Sequence, residues 1–217
     1  DIPTDEFCGI TFPPFLLAIS LLSAACLPVK PVKLSIDQAF PETLNIRRTV
    51  LYLILFAFSI LIIFRVIPFW LGLIIIPTVL LAVDIESLKM VDYPLLGTFF
   101  FFFVFAGNLA RIDAVNTFIS SILTKDTLLV SVLSCQAISN VPSAILLSRF
   151  TADYRSLLLG VNIGGTGTLI ASLASLITFS EFRILYPDHS KRYFLLFTLI
   201  NMIFLVIMTL MAKFFFL

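Results

Sequence analysis

Seven stretches of this 217-residue chain run for about the length of a bilayer crossing without a charged residue. They are Phe12–Val29, Thr49–Phe64, Val66–Val83, Tyr93–Ala110, Thr127–Ser148, Ser156–Phe179 and Tyr193–Met211. None of the 14 basic and 13 acidic residues falls inside any of them. Such a pattern leaves few folds open. Lipid offers no partner to bare backbone groups, so a spanning segment must satisfy its own N–H and C=O groups, and helices do that. The composition agrees: 60% hydrophobic, 12% charged and a mean hydropathy of +1.11. Soluble domains are about half apolar and about a quarter charged. The expected fold class is therefore an all-α integral membrane protein, multi-pass; the expected location is the cytoplasmic membrane. A net charge of +1 carries no signal for a nucleic-acid partner.

Cys8, Cys26 and Cys135 lie in apolar stretches without paired spacing. Neither a disulfide framework nor a metal site is expected of them, and we read them as small buried residues. The sequence starts at Asp1 with no signal-peptide pattern before the first span, and we read it as a piece of a longer chain.

The connections differ in kind. Residues 30–46 form a polar linker with Pro31 and Pro41, which separates residues 1–29 from the rest. Arg65 and Pro68 mark a tight turn between two helices. Between Arg111 and Lys125, the residues Ile112, Val115, Phe118, Ile119 and Ile122 recur at helical spacing. That spacing predicts an amphipathic helix lying along the interface. The basic loops are residues 28–48, with Lys30, Lys33, Arg47 and Arg48, and Glu181–Arg192, with Arg183, Lys191 and Arg192. Positive charge favours the cytoplasmic side. Both loops reach that side only if Thr127–Ser148 enters and leaves on the outer face. The Phe99–Phe103 run reads as packing or lipid contact, His189 as a solvated loop residue, and Asn108 as an interhelical hydrogen-bond partner.

Two of the apolar windows carry their own breaks. In SCQAISNVPSAILL, Pro142 lacks an N–H and clashes with the carbonyl of Ile138. Val141 before it is pushed out of the helical region, and Ser139 and Asn140 compete for local backbone groups. A re-entrant hairpin over 126–150 follows, with its tip at Ser139–Pro142. In LLLGVNIGGTGTLIASLASLI, four glycines (Gly160, Gly164, Gly165, Gly167) crowd together beside Asn162, Thr166 and Thr168. Each glycine costs a helix about 1 kcal/mol relative to alanine, so a discontinuous helix is expected there. Small residues also permit close helix packing. That accounts well for Ala171, Ser172, Ala174 and Ser175, and poorly for Gly-Gly-Thr-Gly-Thr. A hairpin tip beside a broken helix is a device of secondary transporters. Half-helix N-termini take an anion, and unwound carbonyls take a small cation.

These segments, with VDYPLLGTFFFFFVFAGNLARIDAV before them, resemble the C-terminal half of a permease of the arsenite-permease and citrate/divalent-anion transporter superfamily. The resemblance is closest to its divalent-anion:sodium symporter-like members and covers nearly the whole chain. It implies the second inverted repeat of an elevator-type transporter, homodimeric when full length. Residues 1–29 would be the last helix of the first repeat, 30–46 a cytoplasmic linker and 47–110 scaffold helices. Residues 111–125 would be the interfacial link, with 126–150 and 154–217 as the transport part. Ser139–Val141 stand where the family has Ser-Asn-Thr, and Val141 supplies no hydroxyl. The first-repeat partner motif does not occur in this chain.

The expected function is secondary transport of a small anion, a di- or tricarboxylate or an inorganic oxyanion. No carboxylate or histidine sits inside a window, which favours sodium over proton coupling. Ser139, Asn140, Val141, Pro142, Asn162, Gly164, Gly165, Thr166, Gly167 and Thr168 are the expected binding residues, with a sodium site at Ser139, Asn140 and Gly164. No other cofactor or metal is expected. Arsenite efflux or sodium/proton antiport would use the same segments. A structural, non-transporting subunit is the alternative of another class. An intramembrane enzyme is disfavoured, since no HExxH occurs and no Asp lies inside a window.

Overall fold

The computed structural model describes residues 2–28, 30 and 45–217. Among them there is no strand; the helices are α1 (Thr4–Cys26), α2 (Ile46–Ile63), α3 (Phe69–Val83), α4 (Ile85–Lys89), α5 (Tyr93–Leu109), α6 (Asp113–Leu123), α7 (Thr127–Ile138), α8 (Asn140–Leu147), α9 (Tyr154–Gly164), α10 (Leu173–Leu185) and α11 (Ser190–Met211). Most of the expected linker, residues 31–44, lies outside the described residues. The chain forms two compact units: α1 with Pro94–Leu217, and α2 to α4.

In the smaller unit, α2 ends in a Schellman motif. Arg65 takes a left-handed φ of 59°. The Val66 N–H reaches the Leu61 carbonyl at 3.0 Å, and the Arg65 N–H reaches that of Ile62 at 2.9 Å. This turn and Pro68 consume the first residues of the Val66–Val83 window, so α3 begins at Phe69. Its 15 residues rise about 22 Å, short of a 30 Å core. At the end of α3, Asp84 accepts hydrogen bonds from the hydroxyl of Tyr52 and stands 3.8 Å from Arg48.

In the larger unit, α1 starts eight residues before the expected window. Pro3 precedes the helix, and Asp5 and Glu6 occupy its first turn, where the helix dipole favours them. Among the described residues, three helical segments are long and apolar enough to span by length and composition: Thr4–Cys26 and Pro187–Phe216 here, and Ile46–Ile63 in the smaller unit. α5 and α6 are bent from one another by 97°. The expected apolar face of α6 divides in two. Val115 and Ile119 pack against a core of Cys135, Leu147 and Leu157, which Leu123, outside that expected face, also joins, while Phe118 and Ile112 stay exposed.

The ends of the larger unit align. Tyr154 at the start of α9 hydrogen-bonds Glu6, and Arg155 donates to the Phe216 carbonyl at 3.1 Å. The start of α1 therefore lies with the start of α9 and the end of α11. The basic turn before α11 lies at the other end of that 22-residue helix.

Candidate functional site

The hairpin is built by α7 and α8. Asp126 caps α7 by accepting from the Leu129 N–H at 3.0 Å. Leu128, Ser131, Val132 and Cys135 form one buried stripe of that helix. Gly160 and Gly164 of α9 lie against it. A Cβ on Gly160 would come within 2.6 Å of Ser131 Cβ, and one on Gly164 within 2.8 Å of Cys135 Sγ. These two glycines thus act in packing, as a small-xxx-small contact between helices. That is a sharper division of labour than the sequence suggested: Gly160 and Gly164 pack, and Gly165 and Gly167 belong to the break.

The reversal at the hairpin tip is narrower than expected. Only Ser139 leaves the helix, at φ 72° and ψ 159°. Pro142 falls in the first turn of α8, where its missing N–H would be unused anyway. The second break runs from Gly165 to Ser172. Gly167 has φ 108°, Leu169–Ala171 form a 3-10 turn, and Ser172 is extended. α10 resumes at Leu173.

The two breaks meet. Ser139 Oγ donates to the Ala171 carbonyl at 3.3 Å. A Cβ on Gly165 would lie 3.0 Å from Asn140 Nδ2, so the tip amide rests against the unwound backbone. Asn140 Oδ1 accepts from the Val141 N–H at 3.0 Å. The side chain of Gln136, one turn before the tip, joins the two elements. Its Nε2 donates to the carbonyls of Gly164 at 2.8 Å and Thr166 at 3.0 Å, and its Oε1 accepts from the Thr168 N–H at 2.9 Å. Thr168 Oγ1 also donates to the Gln136 carbonyl at 3.4 Å.

Of the expected binding residues, Ser139, Asn140, Gly164, Gly165, Thr166, Gly167 and Thr168 thus lie at this junction. Val141 is exposed. Asn162 lines a cavity of about 430 Å³ between α1, α9 and α11, which Thr166 also borders, and its Nδ2 is donated to the Leu158 carbonyl. The Thr166 hydroxyl donates to Ile163, within its own turn. Gln136 was missed by sequence reasoning. The signal available was a long amide in an otherwise apolar helix, a group that needs partners once buried.

Among the described residues no group of His, Cys, Asp and Glu could hold a metal ion. Cys135 is buried, but Cys8 and Cys26 are exposed, contrary to expectation, because they lie on outer faces of α1. His189 is exposed, as are Asn108 and most of the Phe99–Phe103 run.

No family model and no solved structure matches the chain. It is 36% identical over 146 residues to an uncharacterized transporter of Methanocaldococcus jannaschii. The match takes in 67% of this chain and 39% of that protein, so the chain spans well under half the length of the curated relative it matches. The similarity is to a transporter rather than to an enzyme. Together with the apolar helices, it supports a multi-pass membrane protein related to transporters.

Proposed function

We propose that this chain is the second-repeat half of a secondary transporter that moves a small anion together with sodium. The observation that carries the reading is the meeting of two helix interruptions, Ser139 in the hairpin and Gly165–Ser172 in the following segment. Backbone of this kind is tolerated at membrane depth only where protein buries it or a cavity wets it. The N-terminus of α8 starts at the tip, and Asn140 Nδ2 adds donors beside it. Such an end suits an anion. Lys213, just past α11, pairs with Asp126 at the start of α7 at 2.6 Å, and α9 starts at the same end, which supports a hairpin entering and leaving on one face, with the basic turn before α11 on the cytoplasmic side. Membership of the arsenite-permease and divalent-anion superfamily, the elevator motion and a homodimer belong to this reading.

The test is uptake into proteoliposomes by the natural full-length protein. Radiolabelled dicarboxylate, phosphate and sulfate are offered with and without an inward sodium gradient, beside an arsenite growth assay. Sodium-driven uptake of one anion, abolished by Asn140→Ala with expression intact, is the expected result. Unchanged uptake in that variant would remove Asn140 from the site. Arsenite resistance without anion uptake would give the efflux reading instead.

A further inference from the structure

In an unbroken helix the Thr168 N–H would bond the Gly164 carbonyl, four residues back. At the break these two groups have parted, and the carboxamide of Gln136 stands between them. Its Nε2 meets the Gly164 carbonyl at 2.8 Å and its Oε1 meets the Thr168 N–H at 2.9 Å. A side-chain amide has the donor and acceptor of a peptide group, and here it fills the gap in the helix ladder. The Nε2 also takes the Thr166 carbonyl at 3.0 Å, so one side chain satisfies three backbone groups of the break. The neighbouring sequence makes room for it. A Cβ on Gly167 would sit 2.4 Å from Gln136 Oε1, so only glycine leaves that oxygen its place.

We infer that Gln136 is the positioning residue of the candidate site. It holds the Gly164–Thr168 backbone open in one geometry and fixes it against the hairpin tip. Gln136 itself need touch no transported ion. It acts through the backbone groups it binds and through Ser139 and Asn140, which follow it within one turn. The inference rests on the transporter reading for its uptake arm and stands apart from it for its structural arm.

Three variants test it in the full-length protein. Gln136→Leu keeps the bulk and removes every side-chain hydrogen bond at this position. Gln136→Asn is one methylene too short to bridge both groups. Gln136→Glu keeps the shape, but its ionised form only accepts and would face three carbonyls, those of Val132, Gly164 and Thr166; protonation returns one donor. Hydrogen exchange is read on the peptide containing Thr168 in detergent-solubilised protein. Gln136→Leu is expected to speed that exchange roughly tenfold, the consequence of losing one well-made hydrogen bond. In liposomes, KM for the transported anion should rise more than the maximal rate falls. Gln136→Glu should transport poorly when its carboxylate is ionised and recover as the pH is lowered, an acid rescue the wild type does not show. Unchanged Thr168 exchange in Gln136→Leu overturns the inference. So does a Gln136→Glu protein with the wild-type pH profile, which also decides the matter if Gln136→Leu fails to fold. If the wild-type protein moves none of the anions, the transporter reading fails, and the exchange experiment still decides the role of Gln136.

Discussion

Ser134 and Ser143 face one another across the α7–α8 hairpin, their hydroxyl oxygens 3.0 Å apart. They are nine residues apart in sequence, so the contact exists only because the chain reverses at Ser139. Ser143 is fully buried, and its hydroxyl has no water to turn to. Ser143→Ala should cost about 1 kcal/mol, the range measured for hydrogen bonds between membrane helices. A double-mutant cycle with Ser134→Ala should return most of that as coupling. Thermal unfolding in detergent measures both. Additive losses would show that the two hydroxyls do not hold the hairpin.

The α7–α9 contact makes a second claim. Gly160→Ala puts a methyl 2.6 Å from Ser131 Cβ and 2.9 Å from the Leu128 carbonyl. Gly164→Ala meets Cys135 and, at 3.1 Å, the Val132 Cα. Neither backbone atom can turn aside, so the helices must separate. Each change should destabilise by about 1–3 kcal/mol, the cost of overpacking. Gly9→Ala, Gly97→Ala and Gly107→Ala meet nothing within 4 Å and should be near neutral. Comparison of apparent melting temperatures separates the two groups.

Both interruptions were legible from local chemistry. Ser-Asn-Val-Pro and Gly-Gly-Thr-Gly each hold poor helix formers close together, so a break in each follows from local preference. Their extent was not. Pro142 tolerates the first turn of a helix, so the tip shrinks to Ser139. The first glycines of the cluster remain helical, because what they meet is another helix. Neighbours of that kind lie far along the chain: Gly160 meets Ser131, Gly164 meets Cys135, and Gln136 reaches Thr168. Periodicity places residues on a face but does not say which face meets which. The start of α1 differs from the apolar window for a related reason. Charge marks where a span cannot continue, and Asp5 and Glu6 sit inside α1 because its first turn favours acids.

A pH effect belongs to the smaller unit. The hydrogen bond from Tyr52 holds the Asp84 carboxyl below its ordinary value of 3.8, helped by Ser87 and Arg48 against a smaller opposing effect of desolvation. A carboxyl with a depressed folded pKa adds stability above its unfolded value and loses it as the pH falls through the folded one. The unit should therefore hold its stability down to about pH 4 and lose it below. Tyr52→Phe should flatten that acid limb by returning Asp84 toward 3.8. Trp70, the one tryptophan of the sequence, lies in α3 and reports unfolding of this unit by fluorescence. An acid limb of equal depth in Tyr52→Phe would assign the effect to other groups.

Gly167 faces two separate demands, and they can be pulled apart. Its φ of 108° is closed to side chains at ordinary cost, and its missing Cβ leaves room for Gln136 Oε1, 2.4 Å from where that atom would be. Strain at such a φ is on the order of 1–3 kcal/mol, and the clash adds to it. Gly167→Ala should therefore lose at least about 2 kcal/mol of stability and all uptake. Combining it with Gln136→Ala removes the clash and leaves the strain. The double variant should then be less destabilised than the sum of the two single changes. It should still be inactive, since the strained backbone at residue 167 remains. Strict additivity would mean that Gly167 is required for its backbone alone and that Gln136 does not fill the space beside it.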